Sequence, residues 1–78
     1  MYTLVETVLI NGESVDVYKE SFNTCKEARK RLARVYEETV INRDPDVDCI
    51  HSTECGEDEA YVCYVDGMEI DWDVIEGR

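Results

Sequence analysis

The sequence predicts an α+β fold: a single antiparallel sheet, in the order β-β-α-β-β-β, with one helix packed on one face. Two dipeptides typical of tight hairpin turns, Asn11-Gly12 and Asp66-Gly67, each separate two runs rich in β-branched and aromatic residues. The segment between these hairpins carries apolar residues at helical spacing. A chain of 78 residues can bury only a small core, so residues 1–78 are expected to form one domain.

The first hairpin joins "YTLVETVLI" to "ESVDVYKE". A two-residue loop fixes the register of both strands, and with it the face on which each side chain lies. The predicted pairs are Ile10 with Glu13, Val8 with Val15, and Glu6 with Val17. The face expected to lie towards the core carries Leu4, Val8, Ile10, Val15 and Val17. The opposite face is expected to carry Thr3, Val5, Thr7, Leu9, Asp16 and Tyr18.

The segment that follows is predicted to form a helix ending by about Arg43, shortly before Pro45. Asn23 or Thr24 can cap it, and Glu27 stands three residues after Thr24, as in a capping box. The predicted core-facing stripe consists of Ala28, Leu32, Val35, Tyr36 and Thr39. The opposite side is basic and carries Lys26, Lys30 and Arg34.

The last part of the chain is predicted to be a three-stranded meander. "CIHSTE" is the weakest strand, whereas "AYVCYV" and "MEIDWDVIE" are strong strands joined by Asp66-Gly67. If that loop has two residues, the pairs under the helix are Val65 with Met68, Cys63 with Ile70, and Tyr61 with Trp72. The opposite face then pairs Tyr64 with Glu69, Val62 with Asp71, and Ala60 with Asp73.

The charge of the chain is large and segregated. Residues 1–42 carry seven acids and six bases, a net −1, and residues 43–78 carry twelve acids and two bases, a net −10, which together give −11. Such a molecule repels nucleic acids and anionic lipids. The expected partners are therefore basic surfaces, including those that normally hold DNA or RNA, and neither nucleic acid nor a membrane is expected to bind directly.

The final strand alternates apolar and acidic residues, which predicts a regular row of carboxylates on one side. Alternate residues of a strand lie about 6.6 Å apart, a step comparable in scale to that between phosphates along a nucleic-acid strand. This row is interpreted either as a solvated face or as a docking surface for a basic partner. The candidate partner-binding residues are Glu57, Asp58, Glu59, Tyr64, Glu69, Asp71 and Asp73. Asp44, Asp46 and Asp48 form a further acidic group without a predicted position.

No residue pattern predicts catalysis or a cofactor. Cys49, His51, Cys55 and Cys63 lack the C-x2-C spacing of structural zinc sites, and Cys63 falls on the predicted core face. A single histidine without an orienting partner does not form a recognisable catalytic group. We therefore expect no catalytic residue, no metal and no enzyme activity. No signal peptide or membrane span is evident, which predicts a cytoplasmic protein with reduced cysteines.

The combination of small size, acidity, cysteine content and a one-sheet, one-helix layout resembles small proteins of bacterial viruses and mobile elements, in particular anti-CRISPR and related anti-defence inhibitors. The resemblance covers the whole chain as a profile and carries over no individual site residue. It implies a stoichiometric inhibitor that binds a bacterial immune protein in the host cytoplasm, often at a nucleic-acid groove, and that can form a homodimer.

Two other functions also fit the sequence. The locally basic helix suggests an anti-defence protein that sequesters a nucleotide signal in a dimer cleft. A virion or assembly accessory protein that contacts only its own kind is the other alternative.

Overall fold

The computed structural model describes residues 1–41 and 50–77. The elements are β1 (Tyr2–Ile10), β2 (Glu13–Phe22), α1 (Cys25–Ile41), β3 (Ile50–Cys55), β4 (Glu59–Tyr64) and β5 (Met68–Glu76). The strands form one antiparallel sheet in the order β2-β1-β5-β4-β3, and α1 packs on one face of it. The predicted α+β fold is confirmed, including the weak third strand. In the described part of the chain, no helix is long and apolar enough to cross a bilayer.

The turn between β1 and β2 is the predicted two-residue loop. Asn11 and Gly12 both have positive φ, 52° and 85°, as a type I′ turn requires. Ile10 therefore pairs with Glu13, as predicted.

A β-bulge in β2 changes the rest of the predicted register. Val8 pairs with Asp16 rather than with Val15, so Val15 is the extra residue. An inserted residue reverses the alternation of the strand beyond it. Val17 therefore lies on the face away from the helix, while Asp16 and Tyr18 lie on the helix face. The predicted pairs Val8–Val15 and Glu6–Val17 are wrong, as is the predicted core position of Val15 and Val17, which are 56% and 50% exposed.

The helix begins and packs as its sequence predicts. The Thr24 hydroxyl accepts a hydrogen bond from the backbone N–H of Glu27 at 3.2 Å, which identifies Thr24 as the cap. Ala28 and Leu32 are completely buried against the sheet. Arg43, where the helix was predicted to end, lies outside the described residues.

The turn between β4 and β5 has three residues, not two. Residues 65–67 form the loop, in which the N–H of Gly67 donates to the carbonyl of Tyr64 at 3.2 Å. Gly67 has a φ of 96°, a conformation that glycine adopts without steric cost. Cys63 consequently pairs with Glu69, one position away from the predicted register.

Because of this single-residue shift, each side chain of β4 lies on the opposite face of the sheet from the one predicted. Ala60 pairs with Trp72 and Val62 pairs with Ile70 on the helix face, and Tyr61 and Cys63 lie on the opposite face. All six predicted pairs across this hairpin are therefore wrong: Val65–Met68, Cys63–Ile70, Tyr61–Trp72, Tyr64–Glu69, Val62–Asp71 and Ala60–Asp73.

The core lies entirely between the helix and the sheet. Trp72 is its largest side chain and is 1% exposed. Its ring packs edge-on against Tyr36, with centroids 6.1 Å apart, and its indole N–H donates to the Glu6 carboxylate at 2.7 Å. The buried strand residues all belong to this face: Leu4, Ala60, Val62, Tyr64, Ile70 and Trp72. The other face of the sheet, called the outer face below, has no buried side chain among the described residues.

Candidate functional site

The outer face carries a cluster of carboxylates from three adjacent strands, called the acidic patch below. On β5, the acids alternate with the buried residues Ile70 and Trp72, so burial of the apolar side turns the acidic side outward. The registers of β3 and β4 bring further acids alongside. The acidic patch consists of Glu54, Glu59, Glu69, Asp71 and Asp73.

The acidic patch surrounds an aromatic ring. Tyr61 of β4 pairs with Glu54 on one side and with Asp71 on the other, and Glu59 pairs with Asp73. Neighbouring strands lie about 4.8 Å apart and alternate residues of a strand about 6.6 Å apart, so the side chains form a compact grid. A shallow concavity of about 290 Å³ lies over this grid. The arrangement can accept cationic side chains between carboxylates and against the Tyr61 ring.

No ion pair within the described residues neutralises the acidic patch. The arginines of α1 instead pair with acids outside the patch, because the helix lies on the other side of the sheet. Arg29 contacts Asp58, Arg31 contacts Glu20 and Arg34 contacts Glu38. On the described outer face, Lys19 of β2 is the one basic residue, and it lies beside Val5 rather than beside an acid.

The crowding of these charges affects Asp71 at the centre of the row. Partial burial raises the pKa of its carboxyl group above the ordinary value, and the carboxylates of Glu69 and Asp73 raise it further. Ionised Asp71 is therefore less favourable in the folded protein than in the unfolded chain. A cationic partner would relieve this unfavourable interaction.

We expect Asp71→Asn to stabilise the isolated protein at pH 7 by about 0.2–1 kcal/mol, the range measured for exposed charge interactions. Because the folded-state pKa is the higher one, the destabilisation is present above it and disappears as the pH falls through it. The advantage of the variant should thus vanish in acid. Urea unfolding across this pH range measures the effect, with Glu13→Gln at an exposed turn position as the control.

The structure brings four of the seven predicted site residues together: Glu59, Glu69, Asp71 and Asp73. Glu57 and Asp58 are separate from them, because both lie near Arg29 of the helix. The Arg29 guanidinium donates to both carboxylate oxygens of Asp58, at 2.7 and 3.3 Å, and lies 3.8 Å from the Glu57 carboxylate. The hydrogen bond from Arg29 lowers the pKa of Asp58 below its usual value. These two acids connect the β3–β4 loop to the helix.

Tyr64 is the seventh predicted residue, and its predicted position is wrong. Because the turn has one more residue than predicted, Tyr64 lies under the helix and is 5% exposed. Cys63 lies opposite Glu69, where Tyr64 was expected, and Tyr61 is the aromatic residue of the outer face, opposite Asp71. Sequence reasoning also missed Glu54, whose position depends on the weakly patterned β3. If the loop had been predicted to span three residues, 65–67, the resulting register would have placed Tyr61 on the outer face.

An apolar strip borders the acidic patch. Val5 and Leu9 of β1 lie directly beside Asp73 and Glu69 of β5. Val17 of β2 lies on the same face and is half exposed. The apolar strip is defined as Val5, Leu9 and Val17. The apolar strip is interrupted by Thr7 of β1, which pairs with Asp71 on one side and with Val17 on the other. The outer face is therefore acidic over β3, β4 and β5, and mixed apolar and polar over β1 and β2.

The cysteines do not form a metal centre in the described residues, where no group of three metal-binding side chains occurs. Cys63 lies on the outer face rather than in the core as predicted, while Cys55 pairs with Ala60 on the helix face. Opposite faces of one sheet cannot supply a common site. Cys49 and the side chain of His51 lie outside the described residues, as do Asp44, Asp46 and Asp48.

The three arginines of the helix are engaged in ion pairs, whereas no ion pair is formed by Lys26 or Lys30 within the described residues. Arg34 contacts Glu38, four residues further along the helix, at 3.2 Å. Arg31 lies 3.5 Å from Glu20 of β2. A phosphate ligand would have to compete with these carboxylates for the arginines, though not for Lys26 and Lys30.

No protein-family model, curated protein or solved structure matches this chain. Its function is therefore inferred from the chemistry of the outer face.

Proposed function

We propose that this protein is a non-enzymatic inhibitor that docks its acidic patch on the basic surface of a nucleic-acid-handling protein. The observation that supports this proposal is the set of five outer-face carboxylates, none of which has an ion-pair partner within the described residues. Unpaired like charges on a folded surface weaken the fold slightly, as Asp71 illustrates. A cationic partner that binds the acidic patch would offset this cost.

The electrostatics favour a partner that is strongly basic. Complementary potentials accelerate the encounter of two proteins and select against partners of the same sign. Tyr61 supplies an aromatic side chain among the carboxylates, and tyrosine is enriched among the residues that contribute most to interface affinity. The partner thus gains both charge neutralisation and contact with an aromatic ring.

A nucleic-acid-binding groove is the basic surface that best fits a regular carboxylate row. Glu69, Asp71 and Asp73 step along β5 at about 6.6 Å, which places negative charges in a series as a nucleic-acid strand does. Together with the resemblance to anti-CRISPR and related proteins, this feature points to a bacterial defence protein as the partner. The inhibitor would occupy the groove in place of nucleic acid.

Competition with nucleic acid tests the proposal. Immobilised protein is incubated with a bacterial lysate, and the captured proteins are eluted with increasing concentrations of duplex DNA or of salt. We expect a nucleic-acid-binding protein that DNA displaces and that salt releases steeply. Capture that resists both DNA and salt would contradict the proposal.

Two other measurements test the alternative functions. Micromolar or tighter binding of a cyclic or ADP-ribose-type nucleotide in calorimetry would assign a sequestering function. Large homo-oligomers in light scattering would assign an assembly function.

A further inference from the structure

We infer that the partner contacts the outer face with a basic amphipathic α-helix, which lies along β5 and β1. This inference rests on the proposed function and specifies the part of the partner that is bound. Its first support is the arrangement of two parallel rows on adjacent strands. The acidic row of β5 lies about 4.8 Å from a row on β1 in which Thr7 stands between the apolar side chains Val5 and Leu9. Such a surface is complementary to an element with one basic side and one apolar side.

The spacing of the acidic row matches a helix. Residues four apart in an α-helix are separated by about 6.0 Å along its axis, and alternate residues of a strand by about 6.6 Å. Basic residues at positions i, i+4 and i+8 of the partner helix would lie opposite Asp73, Asp71 and Glu69. The two spacings differ by about 1 Å in total over the three residues. Flexible lysine and arginine side chains absorb this difference. Apolar residues at i+3 and i+7, about 6 Å apart, would lie over the β1 segment between Val5 and Leu9, which are about 13 Å apart. Each would then be within reach of one of these two side chains.

Backbone hydrogen bonding favours a helix over an extended segment. A strand lying across the face of a sheet cannot pair its own N–H and C=O groups with that sheet, so burial there leaves them unsatisfied. A helix satisfies these groups internally. The sheet already holds one helix in this manner, since α1 packs across β5, β1 and β4 on the opposite face. The complex would therefore have three layers, with the sheet between two helices.

The position over β5 and β1 follows from the charges at the two sides of the outer face. Lys19 of β2 would repel a basic helix placed further towards that edge. Glu54 and Glu59 of β3 and β4 remain available to basic residues on the other flank of the helix. A helix of about 10 Å diameter spans two strand spacings, so it contacts the acidic row and the apolar strip together.

Two synthetic peptides of identical composition test the inference. One has lysine at i, i+4 and i+8 with leucine at i+3 and i+7, and the other has the same residues scrambled so that no amphipathic face exists. We expect the amphipathic peptide to bind about tenfold more tightly in calorimetry and to gain helical circular dichroism on binding. Leu9→Ser should remove this preference while leaving the salt-dependent attraction. Val65→Ser, at an exposed turn position, is the matched control.

The outcomes separate this inference from the proposed function. Equal, salt-sensitive binding of both peptides would overturn the helical partner but leave the acidic docking surface in place. Absence of binding by either peptide would contradict both. If Leu9→Ser proves unfolded, Val17→Ser replaces it, because Val17 is half exposed and belongs to the same strip.

Discussion

Reversing the three carboxylates of β5 together, by Glu69→Lys, Asp71→Lys and Asp73→Lys, is expected to abolish partner capture. Each of these side chains lies on the outer face and none belongs to the core, so the fold should tolerate the substitutions. A basic partner would then meet a basic row, and like charges brought together across an interface cost several kcal/mol. Pull-down of the captured protein measures the loss, and far-UV circular dichroism confirms that the fold is retained.

A second triple variant separates the acidic patch from the overall charge. Three exposed acids elsewhere serve this purpose: Glu13→Lys, Glu37→Lys and Glu76→Lys. Both variants change the net charge from −11 by six units, to −5. The control variant should retain capture with a modest loss of association rate. Equal loss in both variants would attribute binding to net charge and reject the acidic patch as a site.

Replacing Trp72 by alanine is expected to unfold the domain. This residue is 1% exposed and fills the space between the helix and the centre of the sheet. Truncating a buried tryptophan typically costs about 3–5 kcal/mol, whereas whole domains are stable by only about 5–15 kcal/mol, and a chain of this size lies near the lower limit. Urea titration followed by far-UV circular dichroism measures the change.

A gentler substitution isolates the polar contact of the same residue. Trp72→Phe keeps most of the ring but leaves the half-buried Glu6 carboxylate without its donor, which should cost about 1–3 kcal/mol. Adding Glu6→Leu replaces both polar partners by apolar groups and should recover much of that loss. If Trp72→Phe alone has the same urea midpoint of unfolding as the wild type, the indole–carboxylate hydrogen bond contributes nothing to stability.

The elements of the fold could be predicted from the sequence because several local signals agree. The Asn11-Gly12 turn, the Thr24 cap and the helical stripe each depend on a few neighbouring residues. The outward position of the β5 acids was also predictable, since Ile70 and Trp72 between them must be buried. Strict alternation on this strand leaves no other way to cover the apolar residues.

The registers of β2 and β4 were not predictable from the alternation of apolar and polar residues. In β2, the bulge at Val15 turns apolar Val17 away from the helix and places Asp16 on the helix face. In β4, Tyr61 and Cys63 are nearly as apolar as the buried residues Val62 and Tyr64, so alternation does not identify the core side. The length of a turn then decides the register, and one additional loop residue reverses every side chain. Cross-strand packing supplies the missing information, since small Ala60 leaves room opposite Trp72.

The separation of Glu57 and Asp58 from the acidic patch depends on a tertiary contact. Their sequence neighbours include Glu59, which does belong to the patch, and nothing local distinguishes the three. Arg29 lies 29 residues from Asp58 in the chain, and it reaches Asp58 only after the helix has packed on the sheet. Because Glu57 and Asp58 are neighbours of Glu59 in the sequence, they were predicted to belong to the same site, and the structure separates them from it.

Carboxyl footprinting of the complex with the captured partner would locate the docking surface residue by residue. A carbodiimide reagent labels accessible acids, and mass spectrometry reads the labelling of each one in the free and bound protein. We predict strong protection of Glu59, Glu69, Asp71 and Asp73 on binding, with unchanged labelling of Glu13 and Glu37. Unchanged labelling of the outer-face acids, with protection at Glu37 and Glu38 on the helix, would contradict docking through the outer face.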